Sequence, residues 1–187
     1  PCPKPLLLRL HLLVMEFIGK NGKASPRLKD ANIAPTKLGQ AYVESVMAMR
    51  NMYQKCKLVH GDLSEYNMLY HRGTVFVIDV SQSVDLDHPN ALEFLRRDAA
   101  NVNDFFARKG VDVMTVRQLF DFCVDQSIGD SDEAAESYLS KLQTVVTNRQ
   151  DMTAAEEVEA AVFQQAYIPK TLSEIEYQDV TRDHQRL

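Results

Sequence analysis

The apolar positions divide the chain into a strand-rich beginning, a helical bulk, and a short β element between the first two helices. Leu6 to Phe17 reads as one or two buried strands ending in Leu12-Leu13-Val14-Met15-Glu16-Phe17. Before it, Pro1-Cys2-Pro3-Lys4-Pro5 is a stiff extended entry. Gly19 to Pro26 carries two glycines, a serine and a proline, and reads as a loop or linker, the candidate boundary between two lobes. From Thr36, placed as a cap, to about Cys56, apolar residues recur every three or four positions (Leu38, Ala41, Tyr42, Val46, Met49, Met52, Tyr53). That spacing predicts a helix with one buried stripe.

A polar stretch, His60 to Asn67, separates this helix from two short strands, Met68 to Tyr70 and Val75 to Val80. His71-Arg72-Gly73-Thr74 between them suits a hairpin turn. Pro89 is placed as the first residue of a helix reaching about Lys109, with Leu92, Leu95, Ala99, Val102 and Phe106 inward and Gly110 as its stop. Thr115 starts a shorter helix with Val116, Leu119, Phe120 and Cys123 inward. A further helix is expected from about Asp130 to Asn148, and a last one from the capping box Thr153/Glu156 to about Pro169. The polar tail, residues 171–187, is expected to pack loosely. The sum is an α+β chain, mostly helical, with a small β-hairpin in its middle.

Composition narrows the classes. The chain has 187 residues, 45% of them hydrophobic, enough for one domain or one large lobe. Its net charge of -5 gives no direct electrostatic signal for nucleic acid. Cys2, Cys56 and Cys123 are too few and too scattered for a disulfide framework or a zinc site, and are read as free thiols in a reducing compartment. The apolar run at the start is too short to span a bilayer, so a soluble, cytoplasmic chain without a membrane partner is expected.

The chemistry concentrates in Leu58-Val59-His60-Gly61-Asp62-Leu63-Ser64-Glu65-Tyr66-Asn67-Met68-Leu69, followed by Val77-Ile78-Asp79. Phosphoryl transfer is catalysed mainly by positioning and by neutralising phosphate charge. Magnesium does the neutralising and wants hard oxygen ligands. Asp62 faces the attacking group, Asn67 supplies an amide oxygen to the metal, and the hairpin returns Asp79 to the same place. His60 is expected to hold the loop through backbone hydrogen bonds, as are Ser81, Gln82 and Ser83 for the segment after Asp79. The pattern H-x-D-x-x-x-x-N, with an aspartate ending a hydrophobic strand a dozen residues later, is specific to kinase-like chemistry. Tyr66 and Tyr70 are read as packing residues near the loop.

The two segments, continued through Val80-Ser81-Gln82-Ser83-Val84, closely resemble the RIO family of atypical protein serine kinases, above all its type-1 branch. The resemblance extends through Leu13-Val14-Met15-Glu16-Phe17-Ile18-Gly19 and His88-Pro89-Asn90-Ala91-Leu92-Glu93-Phe94-Leu95-Arg96-Arg97-Asp98 to about Leu172. It implies a protein-kinase-like C-terminal lobe over residues 19–170, preceded over residues 1–18 by the last strands of an N-terminal lobe and the hinge. It implies Asp62 as the catalytic-loop aspartate, Asn67 as a metal ligand, and Asp79 as metal ligand and acceptor of an aspartyl-phosphate. Backbone groups of Glu16 and Ile18 would hold adenine. Glu16 stands where the family commonly has Ser, a change that a backbone contact survives. The implied cofactors are ATP and Mg2+, with Mn2+ as a substitute, and the implied partner is a pre-small-subunit ribosomal particle.

Only nine residues separate Asp79 from Pro89, and no Ala-Pro-Glu motif follows, so there is no room for a long peptide-binding segment. Transfer to Asp79 itself followed by hydrolysis fits this shortness. No glycine-rich loop precedes residue 12 and no Val-Ala-x-Lys strand is present, so the chain alone is expected to have little kinase activity. Two other readings stay open: a small-molecule kinase of the aminoglycoside or choline type, and a non-catalytic kinase-like binding lobe.

Overall fold

The computed structural model describes residues 1–129, 131–147 and 162–163. The expected last helix and polar tail lie outside the described residues, apart from Val162 and Phe163. Four antiparallel strand pairs and four helices are described: β1 (Pro5–Arg9), β2 (Leu12–Met15), β3 (Gly19–Lys20), β4 (Lys23–Ala24), α1 (Pro35–Gln54), β5 (Leu58–Val59), β6 (Met68–His71), β7 (Thr74–Val77), β8 (Val84–Asp85), α2 (Ala91–Arg108), α3 (Val116–Val124) and α4 (Asp132–Thr147). The pairs are β1 with β2, β3 with β4, β5 with β8 and β6 with β7. The expected α+β architecture, helical in bulk with a central hairpin, is what forms.

Several local expectations change. The first two strands form, but they are exposed along their whole length, not buried. Leu6, Leu8 and Leu12 are each more than half exposed, because this two-stranded ribbon has no layer against either face among the described residues. The stretch from Gly19 is no simple loop: β3 and β4 pair, with Lys20 opposite Lys23, around Asn21-Gly22, both at positive φ. Helix α1 starts two residues earlier than expected. Pro35 sits at its first position, where a missing N–H is harmless, and Ala34 is the cap residue without a side-chain bond. Thr36 lies inside the helix. Helix α2 begins at Ala91, two residues after Pro89. β7 ends at Val77, and Val80–Gln82 forms a turn of 3₁₀ helix. Thr115 caps α3 with a reciprocal Gln118 bond, and Gly110 (φ +81°) takes the left-handed conformation that ends α2.

The core gathers the inner faces of the first three helices around β5 and the β6–β7 hairpin: Tyr42, Val46, Val59, Met68, Val102, Phe106, Leu119 and Phe122 are almost wholly enclosed. Polar bolts cross it. The Tyr42 hydroxyl donates to Asn103 Oδ1 (2.9 Å) and accepts from Met114 N (3.1 Å), while Asn103 Nδ2 donates to Met114 O (2.7 Å). Buried Arg50 on α1 donates to the carbonyls of Phe122, Asp125 (2.9 Å) and Gly129 (3.0 Å), and Gln54 Nε2 donates to Cys123 O (2.8 Å). A cation here answers the partial negative charge at the end of α3. The cysteines are free, and burial pushes the Cys123 thiol up to about 12, which leaves it an inert core group. No helix among the described residues is long and apolar enough to cross a membrane.

Candidate active site

The loop between β5 and β6 alternates anchored and presented residues. His60, Gly61 and Leu63 are buried while Asp62 between them is exposed. The anchor is a carboxylate on α2. Asp98, 1% exposed, accepts from Gly61 N (2.8 Å) and Leu63 N (2.9 Å), one bond on each side of Asp62. Arg97 Nη2 donates to Gly61 O (2.5 Å) and Asn101 Nδ2 to Leu63 O (3.3 Å). Gly61 sits at φ +79°, and a Cβ there would lie 2.6 Å from Gln82 O. Only glycine fits this approach between the loop and the segment after β7.

The sequence pattern had singled out Asp62, Asn67 and His60 but gave no role to Asp98 and Arg97. A signal existed: Asp98 stands in the same helical stripe as Leu95, Val102 and Phe106, where a carboxylate has to find buried donors.

His60 behaves as expected. Its Nε2 lies 3.1 Å from Ile78 O and its Nδ1 3.3 Å from Asp62 N, so the ring spans the loop and the end of the hairpin. Asn67 Nδ2 donates to Asp62 O (2.8 Å) and Asp62 Oδ2 (2.9 Å), and Asn67 O accepts from Ile78 N (3.0 Å). The hairpin register, Met68 opposite Val77, sets Ile78 across from Asn67, and Asp79 follows directly after it. Asp79 takes φ 59°, ψ 66°, a left-handed conformation that Asp and Asn tolerate better than most side chains. Its Oδ1 accepts from Ser81 Oγ (2.7 Å), and Ser83 Oγ donates to His60 O (3.2 Å). The loop and the segment after the hairpin thus form one closed circuit. Tyr66 differs from expectation: it is 43% exposed, and its hydroxyl receives Lys29 Nζ (2.8 Å) in place of core packing.

Three oxygens at this place have no hydrogen-bond partner among the described residues: Asp62 Oδ1, Asn67 Oδ1 and Asp79 Oδ2. Two carboxylates and an amide oxygen are the hard donors a magnesium ion takes. No group of three His, Cys, Asp or Glu side chains suited to a metal occurs among the described residues, so an all-protein cage is not what this site offers. It fits an ion held partly by a bound phosphate.

Glu16 and Ile18 lie on a different segment. The N–H of Glu16 donates to Lys4 O (2.8 Å), and the Ile18 carbonyl accepts from Ser25 N (2.9 Å). The Glu16 carbonyl and the Ile18 N–H keep no such bond among the described residues, and in extended chain, residues two apart face the same side. A carbonyl and an N–H so placed match the amino group and ring nitrogen of adenine. The stretch after β4 links this segment to β6 and the loop before it: Tyr70 N donates to Pro26 O (2.9 Å), Leu28 N to Met68 O (2.7 Å) and Lys29 N to Glu65 O (3.1 Å).

Asp98 also gives the site a pH signature. Burial pushes its carboxyl up to about 6, against the bonds from Leu63 and Gly61 and the charges of His60 and Arg97, which pull it down. With a folded value near 6 and an unfolded value near 3.8, the folded state binds the extra proton between those limits. The buried charge is thus a cost of about 3 kcal/mol above pH 6 that fades as pH falls toward 4. Asp98→Asn removes that titration and turns an amide NH2 toward one of the two loop N–H groups, so one of the two bonds to Gly61 N and Leu63 N is lost. Denaturant melts of both proteins should show the wild type gaining on the variant as pH drops from about 6 to about 4. A gap independent of pH would mean the carboxyl is not held as described.

The RIO domain family profile matches residues 1–119. The chain belongs to the RIO family. Within it, the chain is 51% identical over 177 residues to the human serine/threonine-protein kinase RIO1, covering 94% of this chain and 31% of that protein. It is 46% identical to the rio1 kinase of Dictyostelium discoideum over the whole of this chain and 32% of that protein. The chain therefore spans about a third of the length of these curated relatives. A similar solved structure is the Rio2 kinase–ADP/Mg2+–phosphoaspartate complex from Chaetomium thermophilum, with a TM-score of 0.52, 21% identity, and coverage of 80% of this chain and 50% of that one. At that identity the likeness is one of fold, and it agrees with a RIO domain of kinase-like architecture.

Proposed function

We propose that this RIO domain is the catalytic part of an ATP- and Mg2+-dependent atypical serine/threonine kinase or ATPase that passes its phosphate through Asp79. The observation that carries the reading is the coupling of Asp62, Asn67 and Asp79 through the Asn67–Asp62 and Asn67–Ile78 bonds, with one oxygen of each side chain left free. Asn67 and Asp79 would hold magnesium together with the nucleotide, Asp79 through the lone pair of Oδ1 that Ser81 leaves, and the ion would neutralise charge on the phosphates. The Glu16 carbonyl and Ile18 N–H hold adenine.

The chain's own groups then have distinct tasks. The Asp79 carboxylate forms a bond to the γ-phosphorus as the bond to the ADP oxygen breaks, and ADP leaves with that electron pair. Water next attacks the phosphorus, the Asp79–phosphorus bond breaks, and Asp62 takes the proton. Where a protein hydroxyl replaces water, the same Asp62 serves it. The short stretch from Asp79 to α2 supports hydrolysis over peptide binding. Two similar relatives bear kinase names and a fold neighbour carries a phosphoaspartate, which supports the same chemistry here. A cytoplasmic role in maturation of the small ribosomal subunit belongs to the proposal through the family resemblance.

The test uses the full-length protein and γ-radiolabelled ATP with Mg2+. Acid-quenched protein should carry label that hydroxylamine releases, and Asp79→Asn should carry none. Label that resists hydroxylamine, or that survives in Asp79→Asn, would assign the acceptor elsewhere.

A further inference from the structure

The Ser81 hydroxyl does more than shape the turn after the hairpin. It sits on Asp79 Oδ1 at 2.7 Å and leaves Oδ2 without a partner among the described residues. The donor is set in place by its surroundings. Ser81 lies inside the 3₁₀ turn Val80–Gln82, which Ser83 N closes on Val80 O (3.1 Å). Ser83 Oγ then ties the turn to His60 O (3.2 Å), and Gln82 O lies against the face of Gly61 where no side chain fits. A hydroxyl held this way meets a reacting carboxylate without reorganising.

We infer that Ser81 is a positioning residue that selects Asp79 Oδ2 as the phosphoryl acceptor and speeds release of the phosphate from Asp79. This rests on the assignment of Asp79 as the acceptor. With Oδ1 engaged, the bond to phosphorus forms at Oδ2, and Oδ1 becomes the carbonyl oxygen of the acyl phosphate. When water attacks, the phosphorus–Oδ2 bond breaks and its electron pair returns to the carboxylate. Negative charge then spreads onto Oδ1, where the Ser81 donor is already aimed. The donor binds that developing charge better than it binds the neutral carbonyl, so it lowers the barrier to release. In the forward step it stabilises the free carboxylate and mildly holds back attack. Removing it should therefore slow the second step without slowing the first.

The experiment labels the full-length wild type, Ser81→Ala, Ser81→Thr and Asp79→Asn with γ-radiolabelled ATP, then follows decay of hydroxylamine-sensitive label after a chase with cold ATP. Ser81 is exposed, so the alanine and threonine variants meet no core. Ser81→Ala should carry at least as much label as wild type and lose it about tenfold more slowly, the size of one well-placed hydrogen bond. Ser81→Thr, which keeps the hydroxyl, should decay like wild type. A merely structural role would instead lower the label in Ser81→Ala. That result, or wild-type decay in Ser81→Ala, or slow decay in Ser81→Thr, overturns the inference while leaving Asp79 as acceptor. Absence of sensitive label in the wild type overturns both.

Discussion

Asp62→Asn should lower ATP turnover about 10³-fold with no loss of folding stability. The substitution is close to isosteric, and the new amide oxygen can still accept from Asn67 Nδ2, which donates to Asp62 Oδ2 at 2.9 Å. Asp98 and Arg97 grip the neighbouring backbone at Gly61 and Leu63, not the Asp62 side chain, so the loop keeps its shape. What is lost is the one exposed carboxylate on the loop able to take a proton from water or a hydroxyl. Parallel turnover assays and thermal melts on the full-length protein check this. A variant with near wild-type turnover would remove Asp62 from the chemistry, whereas one that melts much earlier would make it a structural residue.

Arg50→Ala should cost about 4 kcal/mol of stability. It strips the donors from the carbonyls of Phe122, Asp125 and Gly129, all at or beyond the end of α3, and removes a guanidinium stacked 5.1 Å over the Phe122 ring. Against a total stability of about 5–15 kcal/mol, that is a large share. Arg50→Lys should recover only part of it, because a compact ammonium cannot reach three carbonyls in a planar fan. Denaturant midpoints for the two variants provide the measurement. Equal, small shifts in both would show that water substitutes freely for the guanidinium.

Periodicity located α1, α2 and α3, because each carries an apolar stripe against a shared core. The candidate site residues were legible for a different reason: phosphoryl transfer requires an acid, an amide and a second acid at fixed chain separations. What pattern could not reveal was the support beneath them. Asp98 at least stands in the apolar stripe of α2, but only the packing of α2 and α1 shows which buried backbone groups Asp98 and Arg50 face. The burial expected for Leu6 to Phe17 failed because apolar character marks a strand without saying whether another layer lies over it. Asn21-Gly22 was a turn signal, but two-residue strands without alternation carry no periodicity to flank it. Thr36 lost the cap to Ala34 because Pro35 already starts the helix at a position that needs no donor.

The β6–β7 hairpin imposes a rule of parity on this part of the gene. Asn67 and Asp79 flank a ladder that runs from Met68/Val77 to His71/Thr74, with side chains alternating between faces at every step. Inserting or deleting a single codon within either strand would send the following aspartate to the opposite side of the ribbon. The Arg72-Gly73 tip, where both residues already sit at positive φ, is where a length change leaves the frame of the site intact.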